Sequence, residues 1–158
     1  MLIRPAKPSE GRLIVDLIRD LAIYEKEEHL ALATLDQINS AFFCANPAVF
    51  CDFVEDESGK VVGFATWFLN FSTWTGTHGI YLEDLFVEPS ARGKGFGKAL
   101  LVHLAKFCIE RGYHRFQWWV LDWNKPSIDF YLSIGAVPQD AWTVMRVDGP
   151  ALEKLASS

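Results

Sequence analysis

The spacing of hydrophobic positions changes several times along this chain, and each change marks an element. A short strand over residues 2–4 ends at Pro5. Ser9 is the expected N-cap of a helix whose apolar positions, Leu13, Leu17, Leu21 and Tyr24 with Ile14 and Ile18, recur at helical spacing, and which closes at Tyr24 and Glu25. Thr34, followed three residues later by Gln37, is a capping-box pattern; it opens a second helix that carries Ile38, Ala41 and Phe42 and stops near Pro47. Two β-rich runs, 49–55 and 60–69, flank Asp56, Glu57, Ser58 and Gly59 and predict a hairpin. A polar loop is expected over 70–79.

The strand expected over 80–87 carries two carboxylates in its middle, Glu83 and Asp84. Glu88, Pro89 and Ser90 turn the chain into a glycine-rich run, and a helix follows to about Arg111. Its buried face is Leu100, Leu101, Leu104, Phe107 and Cys108, and Gly112 is its left-handed cap. A strand over 115–121, a short helix over 127–134 closed by Gly135, a strand over 142–147 and a helical turn complete the chain. The order β α α β β β α β α β predicts an α+β (mixed α/β) domain with a central mixed sheet flanked by helices. No linker or repeat divides it, so residues 1–158 read as a single domain.

Composition narrows the function classes. At 158 residues, 50% of them hydrophobic, the chain buries a core without staples. Fifteen basic against 20 acidic side chains leave a net charge of −5, which argues against nucleic acid or anionic membrane as partners and toward small cationic molecules. The most apolar stretch, 61–69, is far shorter than the roughly 20 residues of a bilayer crossing. The first residues hold two prolines and no apolar core of a signal peptide, so a cytoplasmic location is expected. Cys44, Cys51 and Cys108 lack CxxC spacing, and the four histidines form no HxxxH or HExxH pair. Neither a disulfide framework nor a protein-bound metal is expected.

The informative segment is 81–97. A strand entering a glycine-rich turn that opens a helix points backbone N–H groups at one spot, which suits a phosphate-bearing ligand. A P-loop is excluded, because position 92 is Arg and position 99 is Ala; a dinucleotide fingerprint fits poorly, because position 98 is Lys. Arg92, Gly95 and Gly97, in the register R-x-x-G-x-G, resemble instead the acyl-CoA pyrophosphate loop of the GNAT N-acetyltransferase superfamily. Ile3-Arg4-Pro5-Ala6, Tyr24-Glu25, Gly63-Phe64-Ala65, Tyr81-Leu82-Glu83-Asp84-Leu85-Phe86-Val87, and Trp123-Asn124-Lys125-Pro126-Ser127 through Phe130-Tyr131 extend the likeness over nearly the whole chain. Together they resemble the spermidine/spermine branch, which includes thialysine N-acetyltransferases.

That resemblance implies a GNAT fold with a mostly antiparallel sheet, acetyl-CoA as co-substrate, a homodimer, and direct attack of a primary amine in a ternary complex. Glu83 is similar to the residue that, in that family, takes a proton from the amine through water, and Tyr131 to the acid that protonates the leaving thiolate. The chemistry agrees: an aliphatic amine with a pKa of about 10 must lose a proton before it can attack. Strand alternation puts Glu83 and Asp84 on opposite faces unless a bulge intervenes, so Glu83 is selected by resemblance. Leu85, Phe86 and Val87, the turn Arg92, Gly93, Lys94, Gly95, Phe96, Gly97 and Lys98, and Asn124, Lys125, Pro126 and Ser127 match cofactor-contacting positions. A backbone N–H near Leu85 is the expected oxyanion donor.

For the acceptor, Tyr24, Glu25, Trp74, Glu83, Gln117, Trp118, Trp119 and Asp140 lie at or near the family's substrate positions, as carboxylates and aromatic faces suited to ammonium groups. The segment Phe71-Ser72-Thr73-Trp74 lacks the acidic residue that polyamine acetyltransferases carry before the tryptophan. This shifts weight from long polyamines to a shorter amine or a lysine-like amino acid such as thialysine. Two alternatives stay open: the same fold acting on a protein lysine or N-terminus, and an acyl-CoA-binding module without turnover.

Overall fold

The computed structural model describes residues 1–158 and comprises two units, Met1–Trp119 and Val120–Ser158. In the first, β1 (Leu2–Pro5), β2 (Val49–Glu55), β3 (Val61–Ser72), β4 (Thr77–Val87) and β5 (Phe116–Gln117) form one sheet in that order. Neighbours are antiparallel except β4 and β5, which run parallel.

Strand alternation sorts side chains onto two faces. On one, Cys51 and Phe53 of β2, Phe64 of β3 and Phe86 of β4 meet Ile14 and Leu17 of α1 (Gly11–Glu25) and Ile38 of α2 (Leu35–Phe42) in a buried cluster. Phe53 and Phe64 are wholly buried, each contributing about 1.5–3 kcal/mol of transfer free energy. On the other face, Trp67 of β3 stacks on Phe50 at 4.5 Å and meets Phe107 of α3 (Phe96–Glu110) edge-on at 5.0 Å. Its indole N–H donates to the buried Asp52 carboxylate at 2.7 Å. Arg4 ties β1 to the start of α1 and the end of β2 by pairing with Glu10 and Glu55.

The Thr34 capping box forms as the spacing predicts: the Gln37 N–H donates to Thr34 Oγ1 and the Thr34 N–H to Gln37 Oε1. Other expectations are corrected. Ser9 does not cap α1; a single turn of 3-10 helix over Pro8–Glu10 precedes the helix, and Glu10 is engaged by Arg4 and the Lys7 N–H. The loop expected over 70–79 shrinks to residues 73–76, because its polar residues lie on a two-stranded ribbon and Phe71 pairs across it with His78. The strand expected over 115–121 keeps only Phe116 and Gln117, since its ladder with β4 ends at Tyr81↔Gln117.

The second unit holds α4 (Lys125–Ser133) and α5 (Gly149–Ala156). No strand forms over 142–147. Its Trp142, Val144, Met145 and Val147 are exposed, and β-prone residues become a strand only beside a partner strand.

Candidate active site

The geometry turns on one residue of β4. Thr66 of β3 pairs with Asp84, but the next residue, Trp67, pairs with Leu82, so Glu83 is the extra residue that the β3–β4 register skips. This β-bulge inverts the alternation of β4. Phe86 and Asp84 share the α1/α2 face with Phe64 and Thr66, whereas Leu82 shares the α3 face with Trp67. Glu83 itself is exposed. Pairing with β5 stops at Tyr81, so the stretch of β4 from Leu82 to Val87 has a strand neighbour on one side only. Main-chain groups of Leu85 and Val87 are thereby available to a ligand lying along that edge.

Beside the bulge, on the α1/α2 face, acidic groups gather. Thr66, buried within β3, donates its hydroxyl to Asp84 Oδ2 at 2.5 Å. Burial pushes the Asp84 carboxyl above its ordinary range, and the Thr66 hydrogen bond opposes the shift. Burial, then the charges of Asp84 and Glu27, also hold Glu25, the last residue of α1, above the usual carboxylate range. A cation between these carboxylates relieves that repulsion.

After β4 the chain passes through a 3-10 turn, Pro89–Ala91, to Arg92. The Arg92 guanidinium stacks 4.3 Å from the Tyr24 ring centroid, and its Nε–H donates to the Val87 carbonyl at 3.0 Å. Arg92 thus fastens the turn to the end of α1. Gly93 and Gly95 adopt left-handed φ values of 76° and 85°, and nothing lies within 4 Å of where a Cβ would stand on either. α3 starts immediately afterwards, with the Ala99 N–H bonded to the Gly95 carbonyl, so the N–H groups of residues 96–98 have no acceptor within the helix. Phe96 turns its side chain into the core while Lys94 and Lys98 stay exposed. The result is an open, positively biased concavity of backbone donors, which fits a pyrophosphate.

The first unit therefore brings together Tyr24, Glu25, Phe86 and Arg92, with Glu83 leaving the sheet at the bulge. Trp74 is not among them: it is 89% exposed at the tip of the β3–β4 hairpin, at the opposite end of β4 from the glycine turn. Gln117 and Trp118 are half-buried at β5, and Trp119 meets Tyr81 edge-on at 5.7 Å. In the second unit, Asn124 is buried at the N-cap of α4, and its carbonyl accepts from the N–H groups of Ser127 and Ile128. Lys125 and Pro126 open α4, Tyr131 is half-buried in its last turn, and Asp140 is exposed in a turn. Sequence reasoning set aside Asp84 and passed over Thr66. The available signal was spacing: Ile80 and Leu82 keep step with each other, and so do Leu85 and Val87, but the two pairs are out of step.

A half-freed strand running into a left-handed glycine turn at a helix start, beside two carboxyls held partly out of water, fits an acyl-group transferase that takes a phosphate-bearing donor. The comparisons give the family. The acetyltransferase (GNAT) family profile matches residues 14–136. The thialysine N-epsilon-acetyltransferase of Sus scrofa is 33% identical over 166 residues, covering 99% of this chain and 97% of the relative. An L-ornithine N5-acetyltransferase of Arabidopsis thaliana is 29% identical, covering 97% and 86%. Among solved structures, an integron cassette protein from the mobile metagenome of V. cholerae superposes with a TM-score of 0.83 at 30% identity, covering 99% and 98%. The chain belongs to the GNAT acetyltransferase family and is an N-acetyltransferase; members of that family use acetyl-CoA. No helix is long and apolar enough to cross a membrane.

Proposed function

We propose that the protein acetylates a primary amine of a small cationic substrate, a lysine-like amino acid such as thialysine or a di- or polyamine, in a ternary complex with acetyl-CoA. The observation that carries this reading is the recess at Glu25 and Asp84. Burial raises the cost of ionising both carboxyls, the charge of Asp84 adds to it at Glu25, and an ammonium offsets that cost. Full-length similarity to thialysine and ornithine acetyltransferases supports the same substrate class.

Acetyl-CoA supplies an activated acetyl thioester. Gly93 to Lys98 cradle its pyrophosphate through main-chain N–H groups, with Arg92 fixing the turn, and Asn124, Lys125, Pro126 and Ser127 complete the cofactor contacts. Leu85, Phe86 and Val87 offer their strand edge to the donor, and the Leu85 N–H donates to the acyl oxygen. Tyr24, Glu25 and Asp140 hold the amine, with Gln117, Trp118 and Trp119 flanking it. Glu83 takes the ammonium proton through a water and Tyr131 delivers one to the leaving sulfur, so no covalent acetyl-enzyme is required. The chain acts as one N-acetyltransferase domain within a cytoplasmic homodimer.

The test is thiol release from acetyl-CoA against thialysine, lysine, ornithine, putrescine, spermidine, spermine and a lysine-containing peptide. Turnover with a small amine is expected. Turnover with the peptide alone assigns a protein acceptor, and binding of acetyl-CoA without turnover on any amine refutes the proposal.

A further inference from the structure

The bulge at Glu83 is a choice among alternative registers, and something must select it. If Thr66↔Asp84 were followed by unbroken alternation, Trp67 would face Glu83 and bring its carboxylate under α3, beside Phe107. Two cross-strand pairs prevent this. On the α3 face, Trp67 is matched with the buried Leu82. On the α1/α2 face, the match is polar: Thr66, 3% exposed, donates to Asp84 at 2.5 Å. Thr66 is the one hydroxyl in the run Gly63-Phe64-Ala65-Thr66-Trp67-Phe68. A hydroxyl and a carboxyl placed there satisfy each other and tolerate no apolar neighbour in exchange. Glu83 is what remains between the two matched pairs, and it leaves the ladder.

We propose that Thr66 and Asp84 are positioning residues of the acetyl transfer, their hydrogen bond fixing the bulge and so the point from which the Glu83 carboxylate reaches the amine. This rests on the reading of Glu83 as proton acceptor. The pair touches no reacting atom. Its effect is geometric, and a displacement near 1 Å at a reacting group costs on the order of 100-fold in rate.

The experiment measures kcat and both KM values for Thr66→Val, Thr66→Ser, Asp84→Asn and, as control, Glu83→Gln, on the amine the native enzyme turns over best. Thr66→Val keeps the shape and deletes the donor; kcat should fall by about tenfold or more with the acetyl-CoA KM unchanged. Thr66→Ser restores the hydroxyl and should recover most of that loss. Asp84→Asn keeps an oxygen for Thr66 to donate to and removes the charge offered to the ammonium, so its amine KM should rise while its kcat falls less than that of Thr66→Val. Thr66→Ala gives the same deletion should Thr66→Val not fold.

A native kcat in the valine and alanine variants overturns the proposal. So does an Asp84→Asn variant whose kcat falls below that of Thr66→Val, because the charge of Asp84 then does more for the transfer than its hydrogen bond with Thr66. A Glu83→Gln variant with native turnover refutes the assignment of Glu83 itself, whatever the Thr66 variants do; a slow Glu83→Gln beside a fast Thr66→Val refutes the positioning role alone.

Discussion

Gly97→Ala separates a glycine kept for folding from one kept for a ligand. Gly97 lies in the first turn of α3 at a helical φ, and a Cβ there would find only Val87 Cγ2, at an ordinary 3.7 Å. Nothing in the fold needs this glycine. Replacing it with alanine should stabilise by about 0.4–1 kcal/mol through the unfolded chain, which raises Tm by about 1–4 °C for a chain of this size. Gly95→Ala is the contrast: its φ of 85° costs an L-residue about 1–2 kcal/mol and lowers Tm. The ligand reverses the order of interest. If the N–H groups of this turn cradle a pyrophosphate, a methyl at Gly97 stands where the phosphate must approach, and acetyl-CoA should bind at least about tenfold more weakly, a loss of ~1.4 kcal/mol. At 100 times the native Kd, acetyl-CoA stabilises the native protein by ~2.7 kcal/mol and the variant by only ~1.4, so the ligand-induced Tm shift halves. The assay is thermal unfolding with and without acetyl-CoA, beside the acetyl-CoA KM. A variant that is more stable yet binds acetyl-CoA as the native protein does would refute the cradle, and a less stable one would refute the account of the turn.

Tyr131→Phe should keep acetyl-CoA binding and lower kcat on the order of 100-fold, as loss of a general acid does; an unchanged kcat removes Tyr131 from the mechanism. Glu25→Gln should raise the amine KM and flatten the pH dependence of stability. The sign follows from the raised pKa of Glu25: the folded state holds its proton more tightly than the unfolded chain, so stability is fullest below the ordinary glutamate pKa of about 4.3 and declines as pH rises through the raised value. The glutamine variant lacks that decline. Urea unfolding from pH 4 to 8 that ran parallel for the two proteins would show Glu25 to be unperturbed.

The glycine turn was legible from sequence because its signal is local: glycines that take positive φ, a charged flank and a helix start are fixed by neighbours in the chain. The α1 and α2 cores were legible for the same reason, as Ile14 and Leu17 recur at helical spacing on α1 and Ile38 follows the Thr34 capping box on α2. What failed depends on partners distant in sequence. The run 142–147 has strand composition, but the unit it belongs to gives it no ladder. Residues 70–79 looked polar because a ribbon with exposed positions shows polar residues wherever it meets water. The bulge hid because alternation counts residues and cannot say which one is extra; only the register against Thr66 and Trp67 picks out Glu83.

Glu83 carries two loads, and they can be pulled apart. Its carboxylate serves chemistry, whereas its backbone is the extra residue between Ile80 and Leu82 on the α3 face and Asp84 and Phe86 on the face of α1 and α2. Substituting the side chain touches only the first. Deleting the residue removes the bulge and, with Thr66↔Asp84 held, leaves Leu82 opposite Trp67 and every earlier pair of β4 with β3 as it stands. The Ile80 and Tyr81 pairs with β5 are kept too, with the Ile80 N–H on the Arg115 carbonyl at 2.9 Å. The glutamine variant should therefore fold with native stability and lose turnover, and the deletion variant should also fold, within about 3 kcal/mol of native, and lose turnover because no carboxylate stands at the bulge. A deletion variant that does not fold would refute this account of the register, and one that turns over at the native rate would remove Glu83 from the mechanism.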